Sequence, residues 1–164
     1  MTQEERINLA RDVRATAEEL EKLSEDKDWY VRFYVARHAN TSTSTLERLS
    51  EDEDWYVRFY VAKNANTPIS VLEKLSEEHN VDVRWRVANN PNTSSVALER
   101  LSGDLEEKVR YYAIMNLNNF RIREMIKVGR ASILDINWYK KAGHLEISWM
   151  RDWEAGLFGI RREV

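Results

Sequence analysis

Cysteine is absent from this sequence of 164 residues. Its absence excludes a disulfide framework, a zinc site with thiolate ligands and an iron–sulfur cluster held by cysteine. Long apolar runs are missing as well, because no stretch approaches the roughly 18 apolar residues that a membrane span needs. The N-terminal residues MTQEERINLARD are polar and mixed in charge, unlike a secretory signal peptide. We therefore expect a soluble, cytoplasmic protein with no membrane-spanning segment.

The motifs that mark common enzyme classes are missing too. The sequence contains no glycine-rich phosphate loop, no nucleophile elbow and no His-Glu-x-x-His motif. Of the three histidines, His38 stands where a helix-ending Asn is expected and His79 lies in an acidic turn, so neither indicates catalysis. We expect a protein that is not an enzyme and that uses no cofactor and no metal.

The formal net charge of −3 conceals an uneven distribution of charge. From Lys108 onward there are eleven Lys and Arg against six Asp and Glu, a net charge of +5, whereas the preceding residues carry −8. A uniformly acidic chain would disfavour a polyanionic partner. The basic C-terminal third leaves nucleic acid open as a partner.

The dominant feature of the sequence is an internal repeat of 26 residues. Its clearest copy reads LERLSEDEDWYVRFYVAKNANTPISV over residues 46–71. Two sets of apolar residues return at this step: Leu20, Leu46, Leu72 and Leu98, and Val31, Val57, Val83 and Val109. Self-similarity at a fixed period of this length indicates a solenoid, in which each unit buries its apolar face against its neighbours.

The repeat divides the chain into three parts. Four units fill residues 20–119. Residues 1–19 are a degenerate copy, in which Leu9-Ala10-Arg11-Asp12 aligns with Val61-Ala62-Lys63-Asn64, and we expect them to cap the array. Residues 120–164 do not repeat, and we expect a C-terminal cap or docking segment there.

Each unit predicts a short helix followed by a longer one. In the third unit, Thr67 is the expected N-cap of the short helix and Pro68 its first residue. Ile69, Leu72 and Leu75 follow at a spacing of three, which suits a short α-helix or a 3₁₀-helix. No stretch of the array alternates with period two over a useful length, so the array is predicted to be all-helical.

The longer helix of each unit has recognisable ends. Its expected N-caps are Asp28, Asp54 and Asn80. Its expected last residues are His38, Asn64, Asn90 and Asn116, and Asn tolerates the left-handed conformation that often ends a helix.

A helical wheel of the longer helix predicts which residues are buried. Val31 and Val35 share one face, Arg32 and Ala36 an adjacent one, and Trp29 lies beside the second. Because both neighbouring units press on this helix, we expect these residues to be buried or half-buried, with the small Ala allowing close approach.

The outward positions of the longer helices carry aromatic and basic side chains, which we call the aromatic stripe. Its members are Tyr30, Phe33, Tyr34, Arg37, Tyr56, Phe59, Tyr60, Lys63, Trp85, Arg86, Tyr111 and Tyr112. Exposed aromatic rings with flanking cations are typical of surfaces that stack on bases or bind peptides. Two alternatives remain: a wheel displaced by one position would bury half of the stripe, and a C-terminal segment folded over the stripe would cover it.

The repeat resembles a known family. The pattern V-R-x-x-V-A-x-N-x-N-T runs from Val57 to Thr67, and L-E-x-L-S follows from Leu72 to Ser76. Over residues 5–119 it is similar to the variant leucine-rich repeat, a HEAT-like helical array. The resemblance implies alternating α- and 3₁₀-helices in a right-handed superhelix without a sheet, used mainly as a binding scaffold. The iron–sulfur segment found beside some members does not apply to a chain without cysteine.

Two further sets of repeated polar residues have a structural and a functional interpretation. The arginines are Arg32, Arg58, Arg84 and Arg110. They suit a ladder of phosphate ligands, but we favour ion pairs with the acidic turns of their own or the next unit. The paired asparagines around Asn64, Asn90 and Asn116 suit amide recognition, but satisfaction of free backbone groups at helix ends explains them.

Residues 134–149 change to period two. Leu134, Ile136 and Trp138 alternate with polar residues, and a second alternating run follows the turn at residues 140–143. This pattern predicts a β-hairpin, with a helix over residues 132–142 as the alternative.

Three functions follow from these patterns. The leading one is a non-enzymatic scaffold that binds a protein or peptide through the aromatic stripe on a concave surface; replacing Phe59 and Tyr60 by Ala is then expected to abolish binding without affecting folding. The second is a nucleic-acid-binding helical repeat protein. The third is a small hydrolase or nuclease with Asp135, His144 and Glu146 on the hairpin. The sequence leaves the oligomeric state open.

Overall fold

The computed structural model describes residues 1–127, and every element in that range is an α-helix. The chain divides into two compact units, Met1–Phe120 and Arg121–Val164. The helices are α1 (Gln3–Arg11), α2 (Ala17–Leu23), α3 (Trp29–Arg37), α4 (Thr43–Leu49), α5 (Trp55–Lys63), α6 (Ile69–Leu75), α7 (Val81–Ala88), α8 (Ser95–Leu101) and α9 (Glu107–Lys127). The prediction of an all-helical array is confirmed for the described residues. The predicted hairpin over 134–149 lies outside them.

Odd-numbered and even-numbered helices have different places in the fold. Each odd-numbered helix packs on the next, so that α1 contacts α3, α3 contacts α5 and α5 contacts α7. The even-numbered helices have seven residues each and pack against the odd-numbered helices on either side. They are α-helical, so the 3₁₀ conformation implied by the family resemblance does not occur in residues 1–127.

The helix starts follow the sequence with one correction. Asp28, Asp54 and Asn80 cap the longer helices, and each side chain accepts a hydrogen bond from the backbone N–H two residues later. The predicted cap Thr67 is wrong. Pro68 is the N-cap of α6, and the buried Thr67 hydroxyl instead donates to the carbonyl of Val61 at the end of α5.

The helix ends differ from the prediction of a left-handed residue. His38 and Asn64 follow α3 and α5 in an extended conformation, and α7 ends one residue early, with Asn89 as its C-cap in the right-handed helical region. Asn64 and Asn90 use their side chains to bind carbonyls of the preceding unit. Asn116 makes the same bonds from inside a helix, so this contact does not depend on a left-handed residue.

Helix α9 is longer than the sequence indicated. A stop at Asn116 was expected, but one helix of 21 residues spans Glu107–Lys127. In the third unit Pro91 follows Asn90 and breaks the helix, whereas Leu117 holds the equivalent position after Asn116. Leucine favours helix and Leu117 is buried, so the helix continues.

The repeated apolar positions form one continuous core. The repeated leucines at the short helices and the repeated valines at the long ones are all completely buried: Leu20, Leu46, Leu72, Leu98, Val31, Val57, Val83 and Val109. Ala36, Ala62 and Ala88 are completely buried too, as expected for points of close helix contact. Burying one Leu or Val side chain stabilises a fold by about 1.5–3 kcal/mol, so these positions supply the apolar energy of each interface.

The repeated arginines are structural, as we favoured. Arg32, Arg58 and Arg84 each bind a carboxylate of the next unit through Nε, at 2.7 Å, on Asp52, Glu78 and Asp104. Each also donates through Nη1 to a backbone carbonyl of its own acidic turn, at 2.6–2.8 Å. Arg6 extends the series to the first unit by binding Asp26 at 2.6 Å. One guanidinium thus ties the loop of one unit to the loop of the next.

A second series of ion pairs joins the short helices. Arg48 binds Glu25, Lys74 binds Glu51 and Arg100 binds Glu77, at 3.1, 2.6 and 2.7 Å. These side chains are about half exposed or more. Exposed pairs of this kind contribute only about 0–1 kcal/mol each, so the buried arginine series contributes more to stability.

The asparagines form a third connection between units. The Asn64 side-chain amide donates to the carbonyls of Ala36 and His38 at 2.8 and 3.0 Å, and Asn90 and Asn116 repeat the arrangement one and two units later. The first acceptor lies in the last turn of the preceding longer helix, whose carbonyls lack partners within the helix. The second lies beyond that turn and also accepts from the backbone N–H three residues later. The structural interpretation of the asparagines is therefore confirmed.

The two ion-pair series make a testable difference at one interface. Arg58→Ala leaves the largely buried Glu78 carboxylate without its cation, so we expect a loss of about 3 kcal/mol in the free energy of unfolding. Lys74→Ala, which breaks an exposed pair between the same two units, is expected to cost less than about 1 kcal/mol. Urea unfolding followed by circular dichroism measures both. Equal losses would contradict the structural role of the arginine.

The buried pairs also predict a pH dependence. Burial is the largest single effect and alone would raise the pKa of Glu78 and of Asp104. The hydrogen bonds and charges of Arg58 and Arg84, together with backbone hydrogen bonds, outweigh it and hold both pKa values below their ordinary 4.5 and 3.8. The unfolded state then binds protons first, so this stabilisation is complete above pH of about 5 and is lost as pH falls through the lowered pKa values. Glu78→Gln is expected to flatten the fall of unfolding free energy between about pH 5 and 3, measured by urea titrations. The exposed Glu47→Gln serves as control, and an unchanged slope in Glu78→Gln would refute this account.

Candidate functional site

The aromatic stripe lies on the odd-numbered helices, with four members each in α3 and α5 and two each in α7 and α9. Its rings touch in one unbroken series. Phe33 of α3 contacts Tyr56 and Tyr60 of α5, with ring centroids 5.3 and 4.5 Å apart. Phe59 of α5 contacts Trp85 of α7 at 6.2 Å, and Trp85 contacts Tyr112 of α9 at 5.8 Å. The structure therefore brings the predicted aromatic residues together.

Two members of the stripe are not on the surface. Phe33 is 5% exposed and Phe59 is 8% exposed, so their expected outward position is wrong. Their rings fill the space between neighbouring odd-numbered helices. The helical wheel missed this burial because it considers one helix at a time. Tyr34, Tyr56, Tyr60, Trp85, Arg86 and Tyr112 are half-buried, and Tyr30, Arg37, Lys63 and Tyr111 are exposed. This outcome is close to the alternative of a displaced wheel.

The wheel also misplaced the repeated tryptophans. Trp29 and Trp55 are 42% and 41% exposed, although Trp29 was expected to be buried or half-buried. Each is the first residue of its helix, at the edge of the layer, where the next helix covers only part of the ring. Trp29 meets Tyr56 edge-on at 6.0 Å, and Trp55 meets Tyr56 at 5.4 Å. Both indoles therefore extend the aromatic surface.

The tyrosine hydroxyls on this surface interact in pairs. The Tyr30 and Tyr34 hydroxyl oxygens are 3.1 Å apart within α3. This hydrogen bond raises the pKa of the Tyr30 hydroxyl above its ordinary value. A hydrogen-bonding interaction with the Tyr60 hydroxyl, together with burial, raises the pKa of Tyr56 in the same way. In the pair formed by Tyr30 and Tyr34, the hydroxyl that does not donate to the other can donate to a ligand.

Cations lie over the rings. Arg11 is 5.4 Å from the centre of the Tyr34 ring, and Lys63 is 5.4 Å from that of Tyr60. Arg86 stacks on Trp85 at 4.0 Å and on Phe59 at 4.5 Å. Burial lowers the pKa of the Arg86 guanidinium, although nearby tyrosines and Asp82 act in the opposite direction. Its Nε, like the indole nitrogen of Trp85, is buried without a hydrogen-bond partner in the described part of the chain.

These cations differ from the structural ones in having no carboxylate partner. Arg11, Arg37, Lys63 and Arg86 form no ion pair within residues 1–127. In contrast, the arginines between units and the cations of the short helices are all paired. Lys108 is intermediate, because it lies 3.3 Å from the centre of the Trp85 ring and 3.7 Å from a carboxylate oxygen of Asp82. The stripe therefore carries positive charge that the described residues do not neutralise.

Two related clefts open beside these cations. The first, of about 380 Å³, lies between α1 and α3 and is lined by Arg11, Tyr34 and Arg37 with their neighbours. The second, of about 270 Å³, lies between α3 and α5 and is lined by Arg37, Tyr60 and Lys63 with their neighbours. Arg37, Tyr60 and Lys63 of the second cleft stand 26 positions after residues 11, 34 and 37 of the first. Arg37 belongs to both clefts.

Arg11 was missing from the predicted site. Its signal was present in the sequence, because Arg11 aligns with Lys63 and stands one repeat before Arg37. The polar residues of the degenerate first copy obscured it, and the copy was interpreted only as a cap. The residues of the hydrolase alternative, Asp135, His144 and Glu146, lie outside the described residues.

Comparison with known proteins adds no relative: no protein-family model and no curated protein matches the chain. Among residues 1–127, no helix is long and apolar enough to cross a membrane. The same part of the chain has no group of three or more His, Asp or Glu that could hold a metal ion.

The burial of Phe59 changes how the stripe has to be tested. Phe59→Ala is expected to lower the free energy of unfolding by about 3–5 kcal/mol, because it leaves a cavity between α5 and α7. Trp55→Ala, on the same helix but exposed, is expected to cost about 1 kcal/mol or less. Thermal and urea unfolding compare the two. Equal stability of Phe59→Ala and Trp55→Ala would show that the Phe59 ring is not part of the core. The expectation from the sequence, that Phe59 can be replaced by Ala without affecting folding, would then stand.

Proposed function

We propose that this chain is a non-enzymatic helical-repeat scaffold that binds an acidic segment of a protein or peptide. In this proposal the four 26-residue repeats and the N-terminal copy form a right-handed solenoid of the variant leucine-rich, HEAT-like kind. The aromatic stripe, extended by Arg11, Trp29 and Trp55, is its binding surface.

The observation that carries this proposal is the division of the basic residues into two classes. Cations that join units are paired with carboxylates, whereas Arg11, Lys63 and Arg86 lie against aromatic rings without one, and the exposed Arg37 lines both clefts without one. A cation that has no structural partner is available to a ligand carboxylate. A hydrogen bond to a charged group contributes about 1.5–3 kcal/mol, which is enough to select for acidic side chains.

The rings supply the second requirement of a binding surface. Tyrosine and tryptophan offer a large contact area and a polar group while losing little side-chain entropy, and they are enriched where binding energy is concentrated. Here the rings are held by one another across four helices, so binding does not have to order them.

Nucleic acid is the second candidate, favoured by the same combination of exposed cations and tyrosine rings. Single strands bind such surfaces by stacking their bases and pairing their phosphates with cations. The two candidates differ in their dependence on salt, because release of counterions makes the binding of a polyanion fall steeply as salt is added.

A charge-matched pair of variants tests the proposed surface. Arg37→Gln with Lys63→Gln is expected to weaken binding of a fluorescein-labelled, 12-residue peptide rich in Glu and Ser at least tenfold, about 1.4 kcal/mol. Lys22→Gln with Lys27→Gln removes the same charge from exposed residues that line neither cleft, and it is expected to bind as the unaltered chain does. Fluorescence anisotropy measures both.

Three outcomes would count against this function. Equal weakening in both double variants would mean that only the overall charge matters. Absence of binding in the unaltered chain would remove the acidic peptide as partner. Tighter binding of a 12-nucleotide thymidine strand, with a steep loss of affinity on adding salt, would favour nucleic acid instead.

A further inference from the structure

The two clefts beside the unpaired cations repeat with the helices that form them. The first lies between α1 and α3 and the second between α3 and α5, and Arg37 faces both. The distance from one cleft to the next therefore equals the spacing of packed helices, which is about 8–10 Å. A ligand that uses both clefts in the same way must present the same chemical group at that interval.

The backbone conformations available to a peptide differ in this respect. A β-strand returns a side chain to the same face after two residues, about 7 Å, and an α-helix completes a turn in about 5.4 Å. Polyproline II has three residues per turn and rises 3.1 Å per residue, so every third side chain points the same way at about 9.3 Å. Only the last of these periods matches the spacing of the clefts.

The lining of the clefts specifies the chemistry of the ligand. Each cleft pairs two cations with one tyrosine: Arg11 and Arg37 with Tyr34, then Arg37 and Lys63 with Tyr60. The cations select carboxylates. Aromatic rings in grooves are the usual contact of proline in polyproline II segments. The backbone carbonyls of such a segment have no internal hydrogen bonds and can accept from whichever hydroxyl of Tyr30 and Tyr34 does not donate to the other.

We propose that the clefts beside Tyr34 and Tyr60 bind a polyproline II peptide with an acidic residue at every third position and proline between. The two acidic side chains occupy successive clefts and share Arg37, and the prolines lie on the tyrosine rings. Asn89, the C-cap of α7, stands at the position of Arg37 and Lys63, so the row of cations at this step ends at Lys63. This inference rests on the proposed function and specifies its ligand.

Three synthetic peptides of 12 residues test the spacing and the conformation separately. The first is Glu-Pro-Pro repeated four times. The second has the same four Glu and eight Pro, but its Glu residues alternate with Pro over the first eight positions and the last four residues are Pro. The third is Glu-Gly-Gly repeated four times, which keeps the spacing and removes the polyproline II preference. Fluorescence anisotropy with labelled peptides and the unaltered chain gives the three dissociation constants.

The first peptide is expected to bind at least tenfold more tightly than either of the others. Arg37→Gln is expected to remove most of that advantage, because Arg37 serves both clefts, whereas Lys22→Gln on α2 is expected to leave it unchanged. Circular dichroism of the Arg37→Gln variant establishes that the exposed substitution leaves the helices intact.

Failure of this inference is distinguishable from failure of the proposed function. If all three peptides bind equally and Arg37→Gln weakens all of them, the surface binds acidic peptides, but the periodic ligand is refuted. If none of them binds, both are refuted. If the thymidine strand binds more tightly than every peptide, the ligand is a nucleic acid and both are again overturned.

Discussion

The ion pair between a repeated arginine and the carboxylate one unit later is the interaction on which the rest of the structure depends. Each of Arg32, Arg58 and Arg84 binds its own acidic turn through a backbone carbonyl and the next turn through a carboxylate. A unit of 26 residues cannot bury its apolar face alone, so stability arises at the interfaces between units. The arginine fixes the register of each interface at one edge, and the asparagine that bonds the preceding unit's carbonyls fixes it at the helix ends. Between these two polar connections, the repeated Leu and Val are brought into contact at a constant offset.

This arrangement explains why much of the fold could be predicted from the sequence. A residue that recurs at a constant step meets equivalent neighbours in every unit. A correct prediction of its role in one unit therefore applies to its counterparts in the other units. The buried Leu and Val, the arginine pairs and the asparagines at helix ends were all predictable, because each rests on period, charge complementarity or an unsatisfied backbone group. The extension of α9 was not predicted. The fourth unit has Leu117 where the third has a proline, and the sequence alone does not show whether the helix ends there, as in the other units, or continues.

The surface was less predictable because it depends on the neighbouring helix. A wheel assigns faces to one helix, but Phe33 and Phe59 are buried by α5 and α7 respectively, and Trp29 and Trp55 remain exposed because they lie at the edge of the layer. A helical wheel gives no information about the distance to the next helix or about where the layer of helices ends. The aromatic stripe was correct as a group of residues in contact. Its division into exposed and buried members required coordinates.

That division gives the two halves of the stripe different properties. In α3 and α5, tyrosines and exposed cations repeat at a constant step and produce two equivalent clefts. In α7 and α9, Arg86 and Lys108 pack on Trp85, so the cations lie against the protein's own rings and the step is broken. The scaffold requires repetition of Leu, Val, Arg and Asn in all units, but it places no such requirement on an exposed Tyr30, Arg37 or Lys63. Stacking therefore does not explain why α3 and α5 carry the same outward side chains. A recent duplication of the unit would explain it, and so would the periodic ligand proposed above, which contacts both helices in the same way.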